Sequence, residues 1–315
     1  MVPILGVSLI LAAFMINLLG NRWIQGVASF IGVLKIGGIL AFGLVGVWLA
    51  DSLAVDFSSS GETGVVGNFL GATALGILAF KGFTTITNSG AEITDPHHNV
   101  GRAITISITL CVVVYLLVAF GVGSSLTIDR IIEARDYSLA EAAEPALGQA
   151  GFLLTVLLAA VATASGLLAS IFAVSRMLAM LTDMKMIPHS HFGMSGGIQR
   201  HMLIYTVVIG SALTVFFDLG RIASLGVFFY LVMDIIVHLG VFRHLRREIG
   251  ARGWVLLTAI VLDMVVLAAF AAMKWQSDPL IVVLGATGMA LVFLFELVFL
   301  ARNPITEGHP DHHQK

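Results

Sequence analysis

Charge is what this chain has least of. Charged residues fill 11% of its 315 positions, against roughly 25% in an ordinary soluble domain. Hydrophobic residues make up 58%, and the mean hydropathy is +0.97. A water-facing surface cannot be assembled from so few charges, so the chain reads as an integral membrane protein. The net charge of −2 excludes nothing by itself. The basic residues form no stripe, however, and nucleic-acid binding has no support. Cysteine is nearly missing too. Cys111 alone lies in an apolar run, so no disulfide framework can form within one chain. Met1 to Gly20 is apolar but has neither a basic leading region nor a small-residue cleavage pattern, and it reads as a spanning helix rather than a signal sequence.

What the chain has is long apolar runs. A spanning helix needs about 20 mostly apolar residues. That rule predicts nine spans, at about 1–20, 23–49, 67–91, 103–126, 152–181, 201–218, 221–243, 253–273 and 279–301. The runs are too long and continuous for barrel strands, so the predicted fold is an all-α transmembrane domain. Lys and Arg then set its direction. Ten of the 17 fall on the side of Arg22, Arg102, Arg200 and the Arg243–Arg252 loop, and four (Arg130, Arg135, Arg221 and Lys274) on the other. The expected location is a cell (plasma or inner) membrane, multi-pass, with Met1 outside and the C-terminus cytoplasmic. Residues 137–150 have helix-forming composition and read as a short amphipathic segment at the outer surface. The tail, 302–315, is polar; its His309, His312 and His313 read as a solvated end rather than a metal site.

Several polar groups sit inside these runs. Lys81 lies beside Gly82 and between Phe80 and Phe83, and Thr84, Thr85, Thr87, Asn88 and Ser89 follow. An ionisable group in a spanning segment is costly and marks a functional site by default. Gly71, Gly76, Gly82 and Gly90 serve either close helix packing or a helix broken near the bilayer midplane, whose freed backbone groups bind a small polar solute. Lys35 lies about twelve residues into its span, too deep to reach the interface comfortably; a lysine in low dielectric has a lowered pKa and can exchange a proton. Asp234, His238, Asp263 and Glu296 are the other ionisable residues expected to be buried. Asp234 and His238 stand at i, i+4 and can satisfy each other. Thr163 and Ser170 share a helix face, where hydroxyls either bond the carbonyl one turn back or line a path.

Enzyme signatures are incomplete. Gly61 to Gly67 (GETGVVG) has P-loop-like glycines without the following Lys-Ser/Thr. No HExxH occurs. Gly193-Met194-Ser195-Gly196, with His201 nearby, matches the GxSG string of intramembrane serine proteases, but it falls in a loop between spans. Enzymatic activity, cofactors and metals are not expected.

Three ordered motifs resemble the amino acid–polyamine–organocation permeases. Phe80-Lys81-Gly82-Phe83, followed by Glu92, Asp95-Pro96, Asn99 and Arg102-Ala103-Ile104, is similar to their sixth helix and its following loop. Ser175-Arg176-Met177-Leu178 with Asp183 and Pro188 resembles the end of their eighth, and Asn17-Leu18-Leu19-Gly20 followed by Lys35 their fourth and fifth. The resemblance implies a leucine-transporter-type inverted-repeat fold, of which the nine spans are helices four to twelve. It implies one transmembrane domain, 1–301, with 1–49 ending the first repeat, 67–246 forming the second five-helix repeat and 253–301 supplying two extra helices. Family helices one to three, including the broken first helix, have no counterpart here, so only half of the substrate site is expected; a mis-set start or a truncated chain would explain that.

The resemblance further implies secondary active transport of amino acids or related amines by alternating access. The substrate would bind at Phe80, Lys81, Gly82 and Phe83, and the proton is the expected coupling ion, through Lys35. Glu92 and Arg102 would pair at the cytoplasmic gate. Lys81 departs from the family, whose core usually has a small or neutral residue there. The alternative reading is a transport-inactive fragment or structural membrane subunit.

Overall fold

The computed structural model describes residues 2–19, 21–49, 65–82, 86–87, 93–187 and 197–302. The described chain is helical throughout its regular structure, as the apolar runs predict. Helices α1 (Val2–Leu19), α2 (Asn21–Leu49) and α3 (Val65–Ala79) come first. Helix α4 (Pro96–Ser125), the short α5 (Ile128–Ala134) and the long α6 (Ser138–Asp183) follow. The series ends with α7 (Ile198–Phe216), α8 (Leu219–Gly240), α9 (Gly253–Ser277) and α10 (Pro279–Arg302).

Seven of these contain stretches long and apolar enough to cross a membrane, from Ile31–Trp48 in α2 to Pro279–Phe299 in α10. The other two of the nine predicted spans are shorter apolar helices, Pro3–Leu18 and Val66–Ala79. Over the second of these, expected to span 67–91, helix α3 runs to Ala79, and Ile86 and Thr87 beyond the expected break are helical again. Large apolar side chains point outward, Trp48 at 79% and Leu154 at 63% exposure, while Ala74, Ala134, Ala142 and Ala143 are buried. Small residues inside and large apolar ones outside is the pattern of helices packed in lipid.

The chain divides into two compact units, one of residues 15–170 and one of 1–14 with 171–315. In the first, α2 and α4 pack through glycine. A Cβ at Gly43 would lie 2.9 Å from Leu117 Cβ, and one at Gly46 only 2.8 Å from Gly121 Cα. Because Gly43 meets Leu117 and Gly46 meets Gly121, the two helices run parallel, as two spans separated by one intervening span must. Asn17 of α1 donates from Nδ2 to the Leu168 carbonyl of α6 at 3.5 Å. Helix α6 bends at Gly148, whose φ of 62° and ψ of −159° only glycine adopts easily. The limb before it, following the short α5, is the amphipathic segment expected over 137–150; it buries Ala140, Ala142 and Ala143, and Glu141 pairs with Arg130 at 2.9 Å.

In the second unit α8, α9 and α10 pack around Phe228, Leu231, Phe270 and Ile281, the last three with no measurable exposure. The Phe228 and Phe270 rings meet at 5.3 Å. Asp218 caps α8, accepting the Arg221 backbone N–H at 2.8 Å, and the Arg221 side chain reaches Asp278 at 2.8 Å. Helix α6 ends in this unit at Lys185, at φ 59°, with Met186 N–H donating to Leu181 O at 2.9 Å and Lys185 N–H to Thr182 O at 2.9 Å. That double bond pattern is the Schellman cap, here built on a lysine instead of the usual glycine.

Candidate functional site

The helix break expected in the Phe80–Phe83 stretch has a definite geometry. Helix α3 ends at Ala79, and the next two amides switch to i→i+3 bonds: Phe80 N–H to Ile77 O at 3.2 Å and Lys81 N–H to Leu78 O at 3.1 Å. Gly82 then takes φ +123°, with open space where a Cβ would stand. A residue with a side chain is strained at that φ, so Gly82 is what lets the chain leave the helix. Lys81 and Gly82 are exposed and Phe80 is half-buried. Phe83 and Glu92 lie outside the described residues, as do the Gly193–Gly196 string and the three tail histidines.

Every helix end frees its last carbonyls. Here Ile77 and Leu78 serve the tightened turn, and Ala79 O accepts from the Tyr115 hydroxyl of α4 at 3.0 Å. The Tyr115 ring also meets Phe80 edge-on, with centroids 5.2 Å apart. Tyr115 therefore belongs to the site although sequence reasoning missed it. Its signal was a phenol in the middle of an apolar span, where a hydroxyl must find a partner. Each carbonyl keeps a second lone pair for a further donor.

Lys35 and Arg102 sit in the same unit. Lys35 is half-buried on α2, and Arg102 is exposed in the first turns of α4. Continuing the Gly46–Gly121 register, Lys35 stands level with Thr109 and Leu110, about 8 Å along the axis from Tyr115 at 1.5 Å per residue. Arg102, thirteen residues before Tyr115 on one helix, is about 20 Å from it by the same rise. The geometry sets the break, Tyr115 and Lys35 at neighbouring depths and Arg102 at a distant one. The other residues of the Arg102 motif build the start of α4. Pro96 occupies its first turn, Asp95 at φ 47° precedes it, and Asn99 Nδ2 donates to Thr94 O at 2.6 Å.

The remaining intramembrane ionisable groups resolve differently from expectation. His238 Nδ1 of α8 lies 3.4 Å from Asp263 Oδ2 of α9, so its partner is on the next helix and not only one turn back at Asp234. Glu296, expected to be buried, is exposed on α10. Ser175 is buried and donates to Phe172 O at 3.0 Å, and Arg176 stands over the Phe172 ring at 5.5 Å. His201, the histidine near the GxSG string, is fully buried on α7. Thr163 and Ser170 are exposed.

Comparison with known proteins agrees with the motifs. Residues 1–303 match the family described as amino acid permease. The inner membrane transport protein YbaT of Escherichia coli is 25% identical over 293 residues, covering 91% of this chain and 66% of that protein. An uncharacterized protein of Methanocaldococcus jannaschii is 26% identical over 287 residues, covering 90% and 65%. An uncharacterized transporter of Mycobacterium tuberculosis is 26% identical over 312 residues, covering 91% and 60%. This chain thus spans under two thirds of the length of each of these relatives. The match over nearly its whole length, on a described structure of apolar helices, makes it a multi-pass membrane protein that belongs to the amino acid permease family.

Proposed function

We propose that the chain is part of a secondary transporter, rather than an enzyme, and moves amino acids or related amines across the membrane by alternating access. One observation carries this reading: within a permease-family chain, α3 stops at Ala79 and the backbone turns out at Gly82. Broken helices supply backbone groups to small polar solutes in transporters of this kind. In the proposal, Phe80, Lys81, Gly82 and Phe83 contact the substrate and Tyr115 holds the break in shape. Lys35 exchanges the coupling proton, supported by its depth close to Tyr115. Glu92 and Arg102 pair at the cytoplasmic gate, supported by the distance of about 20 Å between Arg102 and Tyr115 at 1.5 Å per residue. The repeat boundaries, with 67–246 as the second repeat, the cell-membrane location and the cytoplasmic C-terminus belong to the same proposal. A fixed cation at Lys81 repels a substrate ammonium, so more acidic substrates are favoured over cationic ones.

The test is uptake by the purified chain in proteoliposomes, over a panel of labelled amino acids and amines, with and without an imposed pH gradient. Gradient-driven uptake that Lys35→Ala abolishes is the expected result. Normal uptake by Lys35→Ala removes that residue from coupling, and uptake indifferent to pH removes proton coupling. A chain that folds yet takes up nothing puts the structural-subunit reading in its place.

A further inference from the structure

A pocket of about 560 Å³ opens in the connection between α8 and α9, lined by Arg243, His244, Arg246 and Arg247 and closed by Gly250 and Ala251. We propose that it binds the phosphate of an anionic phospholipid headgroup. Its position follows from the fold. The apolar stretch Leu219–Leu245 ends among the pocket's lining residues, and the next starts at Gly253, so the connection between them lies at a bilayer surface.

The pocket's shape is set by backbone bonds. A π-helical turn, Val241–Leu245, extends α8. Ile249 N–H then donates to Leu245 O at 3.1 Å and Ala251 N–H to Arg246 O at 3.0 Å, while Gly250 takes φ 64°. The last bond and the left-handed glycine form a Schellman cap, which fixes where the arginines start from. Arg246 stands over the Phe242 ring at 5.4 Å, so one guanidinium is held against the apolar end of the helix.

Charge supplies the chemistry. None of the three arginines makes an ion pair with a described residue, whereas Arg130 and Arg221 are paired with Glu141 and Asp278. Glu248 lies in the connection but does not line the pocket. Basic residues in a loop can serve topology alone, but that role needs no concavity and no convergence. Guanidinium forks recognise phosphate oxygens in pairs, and basic clusters beside a spanning helix attract anionic lipid. The Phe242 edge adds an apolar wall that suits a headgroup attached to acyl chains better than a free ion.

The experiment is native mass spectrometry of the full chain, delipidated in detergent and offered phosphatidylglycerol, phosphatidylcholine or inorganic phosphate. Retention of phosphatidylglycerol over phosphatidylcholine is expected, weakened roughly thirtyfold in the R243Q/R247Q double variant, from the loss of two cations near the surface. Arg130→Gln, which removes a cation outside the pocket, should retain the lipid as the unaltered chain does. Equal retention by R243Q/R247Q overturns the proposal, and displacement by inorganic phosphate at equal concentration overturns it in favour of a soluble anion. If that variant does not fold, salt titration of the unaltered chain decides. Lipid retention that falls steeply with ionic strength supports the pocket, and retention indifferent to salt sinks it.

Discussion

Two helix contacts in this protein use glycine for opposite purposes. Between α2 and α4, glycine brings one backbone against another: a Cβ at Gly46 would lie 2.8 Å from Gly121 Cα. Between α8 and α10, glycine makes room for rings. A Cβ at Gly285 would lie 3.2 Å from Phe228 Cγ, and one at Gly288 would lie 2.9 Å from Phe229 Cζ. The distances are alike, but the obstacles are not. A main chain inside a helix cannot yield without moving the helix, and a ring edge can swing. The α2–α4 contact is therefore the stiffer joint, and it carries Lys35 on one helix and Tyr115 on the other.

The same substitution at both joints separates them. Gly46→Ala forces α2 and α4 apart, and overpacking of this kind costs about 1–3 kcal/mol. A lowered midpoint of thermal aggregation, followed by fluorescence-detected size exclusion in detergent, is the expected outcome, and it is the largest effect of the set. Uptake should fall with it, because the register that sets Lys35 about 8 Å from the level of Tyr115 at 1.5 Å per residue depends on this contact. A midpoint equal to that of the unaltered chain would show that the glycine approach is not what joins the helices.

A smaller change probes the other contact of α4, against the end of α3, without touching its packing. Tyr115→Phe keeps the edge-on contact with Phe80 and removes the bond to Ala79 O. One hydrogen bond contributes about 1 kcal/mol net, so the midpoint should drop less than for Gly46→Ala. Uptake is the sharper readout, since the freed carbonyl belongs to the turn proposed to hold substrate. Unchanged uptake kinetics would leave Tyr115 a packing residue only.

These pairings also mark what was legible in the sequence. Apolar run length alone placed every long helix, because lipid leaves a spanning backbone few alternatives to the helix. Run length over 67–91 did not locate the break inside it: helix α3 ends at Ala79, Gly82 takes φ +123°, and Ile86 and Thr87 are helical again. The FKGF stretch pointed to that break through local chemistry, a lysine and a glycine among aromatics. The Tyr115–Ala79 bond and the His238–Asp263 contact were not legible. They join residues on different helices, and helical periodicity states which face a residue occupies but not which helix lies opposite it. Thus Asp234, one turn from His238, looked like its partner, while Asp263 supplies the contact from α9 at 3.4 Å.

Gly288→Ala is the control on the softer joint, with the smallest expected effect. The added Cβ meets Phe229 Cζ, the far end of a half-buried ring. A small rotation about the Phe229 side-chain torsions relieves the overlap. Alanine also recovers about 1 kcal/mol of helix propensity relative to glycine in a water-soluble helix interior, which offsets the residual strain. The two terms nearly cancel, so the aggregation midpoint should stay close to that of the unaltered chain or rise slightly. Gly285→Ala sits between the extremes, because its Cβ meets Phe228 at the ring's root, Cγ at 3.2 Å and Cβ at 3.3 Å, where rotation helps less. The order Gly46, Gly285, Gly288, from most to least damaging, tests the distinction between backbone and ring as obstacles. Should Gly288→Ala lower the midpoint as far as Gly46→Ala does, Phe229 is as fixed as a main chain, and the two joints are of one kind.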